Sequence, residues 1–281
     1  MPLFITSLNS GSNGNCYYIG NENAAILVDA GISCRETEKR MNRLGLSMDK
    51  VKAIFVSHEH GDHITGIPGL SKKFQLPVYI THATLNNGRL PIEEHLIKPF
   101  GANSPIAIDG LVVQAFRKAH DAADPHSFII THNNTTVGVF TDIGNPCNEL
   151  TYHFKLCHAA FLEANYDTDM LMKGNYPYHL KKRISSGNGH LSNKQALDVF
   201  MEHRPSEMSH LILAHLSKNN NCPVLVKNMF QAKADSTSIV VASRYEETPL
   251  FTINGTKSNQ TGAGVRKIIT LKPKPLQLAL F

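Results

Sequence analysis

Residues 56–66 read VSHEHGDHITG, in which His58, His60, Asp62 and His63 crowd three imidazoles and a carboxylate into six consecutive positions. At this density such groups compete or repel unless a cation sits between them, so the stretch asks for metal. VKAIFVSH is a β-rich run ending inside the motif, and a helix is expected to begin after Gly61. Alternation along extended chain lets His58 and His60 face one way, with Asp62 and His63 arriving after the turn. Upstream, LFITSL, CYYIG and AAILVDAG are further strand-like runs, and PVYIT follows a second helical stretch. Short β-rich runs alternating with helices describe an α/β chain.

Helix starts are legible as well. Ser33-Cys34-Arg35-Glu36 predicts a capping box after AAILVDAG, and Ser192-Asn193-Lys194-Gln195 repeats it ahead of Ala196, Leu197, Val199 and Phe200, which share one helical face. His190 therefore lies just before a helix N-terminus. Gly/Asn/Ser-rich stretches at 9–15, 186–190 and 254–264 act as breakers. The expected organisation is one body over 1–250 and a tail over 251–281.

The chain has 281 residues with 42% hydrophobic content, enough for a substantial core. No apolar run approaches the roughly 18 residues needed to span a bilayer, and MPLFITSLNSGSNG shows no basic-then-apolar leader pattern. A cytoplasmic protein with no membrane partner is expected. The five cysteines are odd in number and contain no C-x-x-C pair, which reads as reduced thiols rather than a disulfide framework or a zinc ribbon. The formal charge of +5 sits wholly on Lys257, Arg266, Lys267, Lys272 and Lys274; the preceding 250 residues balance at 23 basic against 23 acidic. A basic tail on a neutral body suits a polyanionic partner or a solvated extension.

Two ligand pairs in one motif need partners from elsewhere. His120 after VVQAFRKA, Asp142 after TTVGVFT and His215 after HLILA all stand at strand-like ends. The order H-x-H-x-D-H, His, Asp, His resembles the metallo-β-lactamase fold superfamily over about residues 3–220. That resemblance implies a four-layer αββα sandwich in which His58, His60 and His120 hold one ion, Asp62, His63 and His215 the other, and Asp142 bridges. It also makes Asp29, in ILVDAG, an orienter of the ligands. The separations of 22 positions from His120 to Asp142 and 73 from Asp142 to His215 leave no room for the long arm of the transfer-RNA-processing relatives or for a β-CASP insertion.

Such a centre does not by itself choose between an amide, a thioester and a phosphodiester. FLEANYD (161–167) and NGHLSNKQA (188–196) supply Glu163 and His190, which resemble the glutamate and histidine that donate a proton to the leaving group in phosphodiesterases of this superfamily. Together with SLNSGSNGNCYYI, AHDAADPHSF, YPYHLKKRISSGNGHLSN and LAHLSKNNNCP, these motifs are similar to those of the YycJ/WalJ family of bacterial nucleases. The resemblance implies 5′-to-3′ exonuclease action on DNA in repair, with hydroxide generated by the metal pair as nucleophile. The implied cofactors are two divalent cations, zinc or manganese, with iron or magnesium as alternatives, and Asp62, Glu163 and His190 are the catalytic candidates. Two departures stand out: Tyr166 where the family has histidine, and His126-Ser127 where it has an apolar residue and glycine. Ser10, Ser12, Asn13, Lys181, Lys182, Arg183, Asn219, Asn220 and Asn221 are candidate substrate contacts. A small-substrate phosphodiesterase and a non-catalytic repair or cell-wall regulatory adaptor remain as alternatives.

The chain ends PLQLALF, where Gln277, Leu278, Leu280 and Phe281 resemble the bacterial sliding-clamp-binding peptide, with Ala279 the one departure. The resemblance implies a clamp partner beside DNA, the leucines and terminal aromatic filling an apolar groove. A last strand or a plug on the chain's own body is the other reading.

Overall fold

AAILV is apolar without alternation, and VKAIF is so apart from the exposed Lys52, because both faces of their strands are largely covered. In the computed structural model, which describes residues 1–255, β3 (Ala25–Val28) and β4 (Val51–Phe55) pair in parallel, and α1 (Cys34–Arg43) makes the crossover between them. β1 (Leu3–Asn9), β2 (Cys16–Gly20), β5 (Val78–Tyr79) and β6 (Ile97–Lys98) extend this sheet, with β14 (Phe251–Ile253) at its edge, in the order β14-β1-β2-β3-β4-β5-β6. The second sheet runs β13 (Ser238–Val241), β12 (His210–Ala214), β11 (Ala159–Glu163), β10 (Thr135–Phe140), β9 (His126–His132), β8 (Leu111–Arg117), β7 (Ile106–Ile108). Each sheet is antiparallel in one half and parallel in the other, with β10 to β13 all parallel.

Three apolar layers hold the sandwich together. Between the sheets lie Tyr17, Phe55, Phe128 and Phe161, with the Phe55 and Phe128 rings edge to face at 5.7 Å. On the outer face of the first sheet, Met41 of α1 packs with Ile67 and Leu70 of α3 (Ile67–Phe74), which follows the short α2 (Gly61–Ile64). α4 (His82–Gly88) continues that side of the chain. On the outer face of the second sheet, α5 (Asn148–Phe154), α8 (Asn193–His203) and α9 (Pro223–Gln231) contribute Phe154, Phe200 and Phe230. α6 (Thr168–Lys173) and α7 (Tyr178–Ile184) fill the connection from β11 to α8. Each fully buried phenyl contributes about 1.5–3 kcal/mol of transfer free energy. The architecture is the expected four-layer α/β sandwich.

The capping box at Ser192 forms in full, its hydroxyl and Gln195 reciprocating. At Ser33 only half forms: the hydroxyl accepts from Glu36 N–H, but the Glu36 carboxylate turns to Arg40 Nε at 2.9 Å, because a charged partner one turn ahead outcompetes the cap's backbone N–H. Phe251–Ile253, which open the segment expected as a tail, pair antiparallel with β1. The clamp-like residues Gln277, Leu278, Leu280 and Phe281 lie outside the described residues. Among the described residues the five cysteines are free, and no helix is long and apolar enough to cross a membrane.

Candidate metal centre

Parallel strands of both sheets deliver their carboxyl ends to one edge of the sandwich, and the residues that follow them build the site. Asp29 follows β3, Asp142 lies two residues beyond β10, and His215 follows β12. All three sit in the left-handed backbone region, at φ 58°, 55° and 54°. That conformation costs a non-glycine residue roughly 1–3 kcal/mol, and here it turns each side chain abruptly off its strand into the shared cavity.

The HEHGDH stretch leaves β4 at Phe55 and runs extended to His60; α2 then begins at Gly61, with Asp62 and His63 in its first turn. Asp29 braces this segment. Its carboxylate accepts from Ser57 N–H and Ser57 Oγ–H, both at 2.8 Å, and from His63 Nδ1 at 2.7 Å, which directs His63 Nε2 toward Asp142 Oδ2 at 3.2 Å. With its own proton given to Asp29, the Ser57 hydroxyl accepts from His58 Nδ1 at 2.9 Å. His120 Nδ1 donates to Gly189 O at 2.9 Å.

The inward nitrogens of His58 and His120 therefore carry lone pairs. His58 Nε2 lies 3.0 Å and His120 Nε2 3.4 Å from His60 Nδ1. Three imidazole nitrogens converging on one point is a donor set for a borderline-soft cation. Asp62, His63 and His215 converge likewise, with Asp62 Oδ2 3.6 Å from His63 Nε2 and 3.4 Å from His215 Nε2. Asp142 lies between the groups, 3.9 Å from His120 Nε2 and 3.3 Å from His215 Nδ1. Its Oδ2 is buried and faces His63 Nε2 at 3.2 Å without hydrogen-bond alignment, an incompletely partnered anion that a cation would satisfy. The two triads expected from the sequence are two of the side-chain groups whose ligating atoms lie within 4.8 Å of one another.

The electrostatics call for positive charge. Burial alone would raise Asp142, yet the imidazoles of His215 and His63 hold its carboxyl well below the usual range. Burial likewise opposes a charged His63 and His215, but carboxylates outweigh it: Asp142, Asp29 and Asp62 keep His63 well above its ordinary value, and Asp142, Asp62 and Glu163 lift His215 to about 10. In the protein alone, ring protons offset the carboxylates. Divalent cations would replace them, with the rings released as neutral ligands. At His58 and His120 burial outweighs the pull of Asp142; it drives His58 well below its ordinary value and His120 to about 4, as neutral ligands require.

Glu163, at the end of β11, is fully buried and saturated. Oε2 accepts from the backbone N–H of Ile143 at 2.7 Å and of Leu191 at 3.1 Å, while Oε1 faces His190 Nδ1 at 2.7 Å and His215 Nδ1 at 3.0 Å. Burial opposes its charge, and His190 and His215 overcome that to hold it at about 2.

Residues 10–151 match the metallo-beta-lactamase superfamily. Over 251 residues the chain is 33% identical to the exodeoxyribonuclease YycJ of Bacillus anthracis, covering 88% of this chain and 94% of that one. The chain belongs to the YycJ/WalJ family of this superfamily. The exodeoxyribonuclease WalJ of Streptococcus pneumoniae is 28% identical over 221 residues, 76% of this chain and 81% of that one. In fold, the family member resembles the metallo-beta-lactamase fold protein YhfI from Bacillus subtilis, with TM-score 0.70, 16% identity and coverage of 90% of this chain and 100% of that one.

Three residues not picked out by the sequence reading support the centre of this YycJ/WalJ-family chain. Asn15 Nδ2 reaches Asp62 Oδ2 at 3.1 Å and His63 Nε2 at 3.0 Å; Ser57 bridges Asp29 and His58; Asn165 Nδ2 donates to His215 O at 2.8 Å. Each stands inside a stretch already singled out, but only the folded chain shows which polar residue points inward. Gly31 fits the same neighbourhood: a Cβ there would meet Asp62 O at 1.7 Å. Gly31→Ala is expected to cost at least about 1–3 kcal/mol, read as a fall in thermal midpoint, because backbone must give way; an unchanged midpoint would contradict this close approach.

The candidate substrate contacts separate. Ser10 is buried, its Oγ accepting from His215 N–H at 2.7 Å, Ser12 is exposed, and Asn13 Nδ2 donates to Arg244 O at 2.9 Å. On α7, Arg183 pairs with Asp121 beside His120, Lys181 Nζ donates to Met172 O, and Lys182 is exposed. Asn219 is exposed, whereas Asn220 is buried and Asn221 spends its amide on Ala164 O, Asn165 O and Asn193 Oδ1. Asn221 thus braces the loop after β12. Of the two departures, Tyr166 is buried and bridges to Ser192, and buried His126 donates its backbone N–H to Ser57 O at 2.9 Å.

Proposed function

We propose that this protein is a metal-dependent exodeoxyribonuclease that hydrolyses DNA 5′-to-3′ in repair. The observation that carries the reading is the convergence of His58/His60/His120 and Asp62/His63/His215 on either side of Asp142, with the Glu163–His190 pair against the same cavity. We assign two divalent cations, zinc or manganese, to these residues; when bound they would acidify solvent and polarise the phosphate oxygen under attack. Asp29 and Ser57 fix the tautomers of His63 and His58. Glu163 Oε1 fixes His190 at Nδ1, which leaves the Nε2 proton for the departing oxygen. The YycJ and WalJ relatives, named as exodeoxyribonucleases, favour DNA over a small phosphodiester.

The test is digestion of end-labelled duplex DNA by chelator-stripped protein with Mn²⁺, Mg²⁺ or Zn²⁺ added back. Stripped protein is expected to be inactive and Mn²⁺ to restore release of 5′-terminal label as short products. Turnover of a cyclic nucleotide with no attack on DNA under any metal would overturn the reading.

We further propose that Gln277, Leu278, Leu280 and Phe281 dock on a bacterial sliding clamp, a reading supported by sequence alone. Deleting the last five residues is expected to abolish co-elution with purified clamp; retained co-elution would refute it.

A further inference from the structure

Beside the metal centre, at the carboxyl ends of the parallel neighbours β12 and β13, lies a cavity of ≈ 320 Å³. It is lined among others by Ser10, Leu216, Lys218, Pro223, Arg244 and Tyr245, and it falls within the range of small-ligand sites. The wall shared with the centre is thin: Ser10 Oγ accepts from the backbone N–H of His215, and Leu216 follows that ligand.

Arg244 is built into this wall. Its Nη2 donates to Leu216 O at 2.6 Å, and its guanidinium packs against Gly11, where a Cβ would meet Nη2 at 2.9 Å and where φ is +139°. Its own carbonyl is held by Asn13 Nδ2. Among the described residues no carboxylate lies within ion-pair distance of Arg244 or Lys218, whereas Arg40, Arg43, Arg183 and Arg204 each have one. A half-buried guanidinium without an anion, beside an exposed lysine and the uncapped start of α9, is a phosphate-recognising arrangement. Tyr245, 71% exposed at the cavity, offers a ring for a base to stack on.

We infer that this cavity is a nucleotide subsite: Arg244 and Lys218 hold a phosphate of the substrate strand next to the one cleaved, and Tyr245 takes the attached base. The inference rests on the phosphodiesterase reading for its substrate, while the binding itself requires no hydrolysis. The direct test compares thymidine 5′-monophosphate with thymidine for binding to the full chain in excess chelator. The monophosphate is expected to bind at least tenfold tighter, Arg244→Gln to erase the difference, Arg244→Lys to keep part of it, and Lys218→Ala to narrow it. Lys218 is exposed, so its variant decides the matter even where Arg244→Gln fails to fold. With metal and DNA present, Arg244→Gln is expected to raise KM about tenfold with kcat within twofold.

Equal binding of thymidine and its monophosphate by the wild-type chain would overturn the site. So would a preference that survives Arg244→Gln and Lys218→Ala, or a loss confined to kcat, which would make Arg244 a support for the His215 loop. A KM for DNA that does not move while monophosphate binding is lost would place free nucleotide, not the strand, in the cavity and also overturn the proposal. A chain that binds the monophosphate through Arg244 yet cleaves no DNA would sink the nuclease reading and leave a nucleotide site standing.

Discussion

Asp142→Asn is expected to strip most of the metal from the centre and to lower DNA hydrolysis roughly a thousandfold. Asparagine is the informative replacement. It keeps the side-chain shape and tolerates the left-handed backbone that Asp142 adopts at φ 55°, so the charge is what changes. That charge is the one both histidine groups share: the carboxylate is fully buried, 3.2 Å from His63 Nε2, 3.3 Å from His215 Nδ1 and 3.9 Å from His120 Nε2. Replacing an anion by an amide in so desolvated a place removes the attraction that offsets bringing two cations together. The measurement is metal content per chain after gel filtration, beside the rate on labelled DNA. Wild-type metal content with wild-type rate would show that Asp142 is not shared between the cations.

That these seven residues would meet was legible because each sits at a strand end or in the motif and because their order along the chain resembles that of the metallo-β-lactamase superfamily. His58 to His63 are local. His120, Asp142 and His215 are distant, yet each ends a β-rich run, and parallel strands in one sandwich bring their ends to a common edge. The braces were harder to see. Asn15 and Ser57 lie in quoted stretches, but which of several small polar residues faces inward depends on turn geometry and on a single residue of register. The Asn219–Asn221 run shows the converse: composition presented three equivalent amides, and folding buried two of them. Glu36 followed local energetics, an ion pair with Arg40 displacing the second half of a cap. Arg244 carried no signal in sequence, since a lone arginine after a strand becomes informative only when its carboxylate partner proves to be missing.

His190→Ala should slow DNA cleavage by roughly 10²–10⁴-fold while leaving the metal content unchanged, as expected when a proton donor rather than a ligand is removed. The geometry motivates both halves. His190 Nδ1 is held by Glu163 Oε1 at 2.7 Å and approaches Asp142 Oδ1 only at 3.7 Å, while its side chain keeps 20% exposure toward the cavity. A DNA alkoxide is a poor leaving group without a proton, whereas p-nitrophenolate departs unaided. The same variant should therefore lose little rate on bis-p-nitrophenyl phosphate, and that contrast is what a merely structural histidine cannot produce. Glu163→Gln should show the same leaving-group dependence together with some loss of metal, because Glu163 also orients His215 at 3.0 Å. His190 does belong to a group with Asp142, Glu163 and His215 close enough to hold a cation. If it serves as a ligand, both substrates will slow together and metal content will fall with them, and the proton-donor role is then wrong.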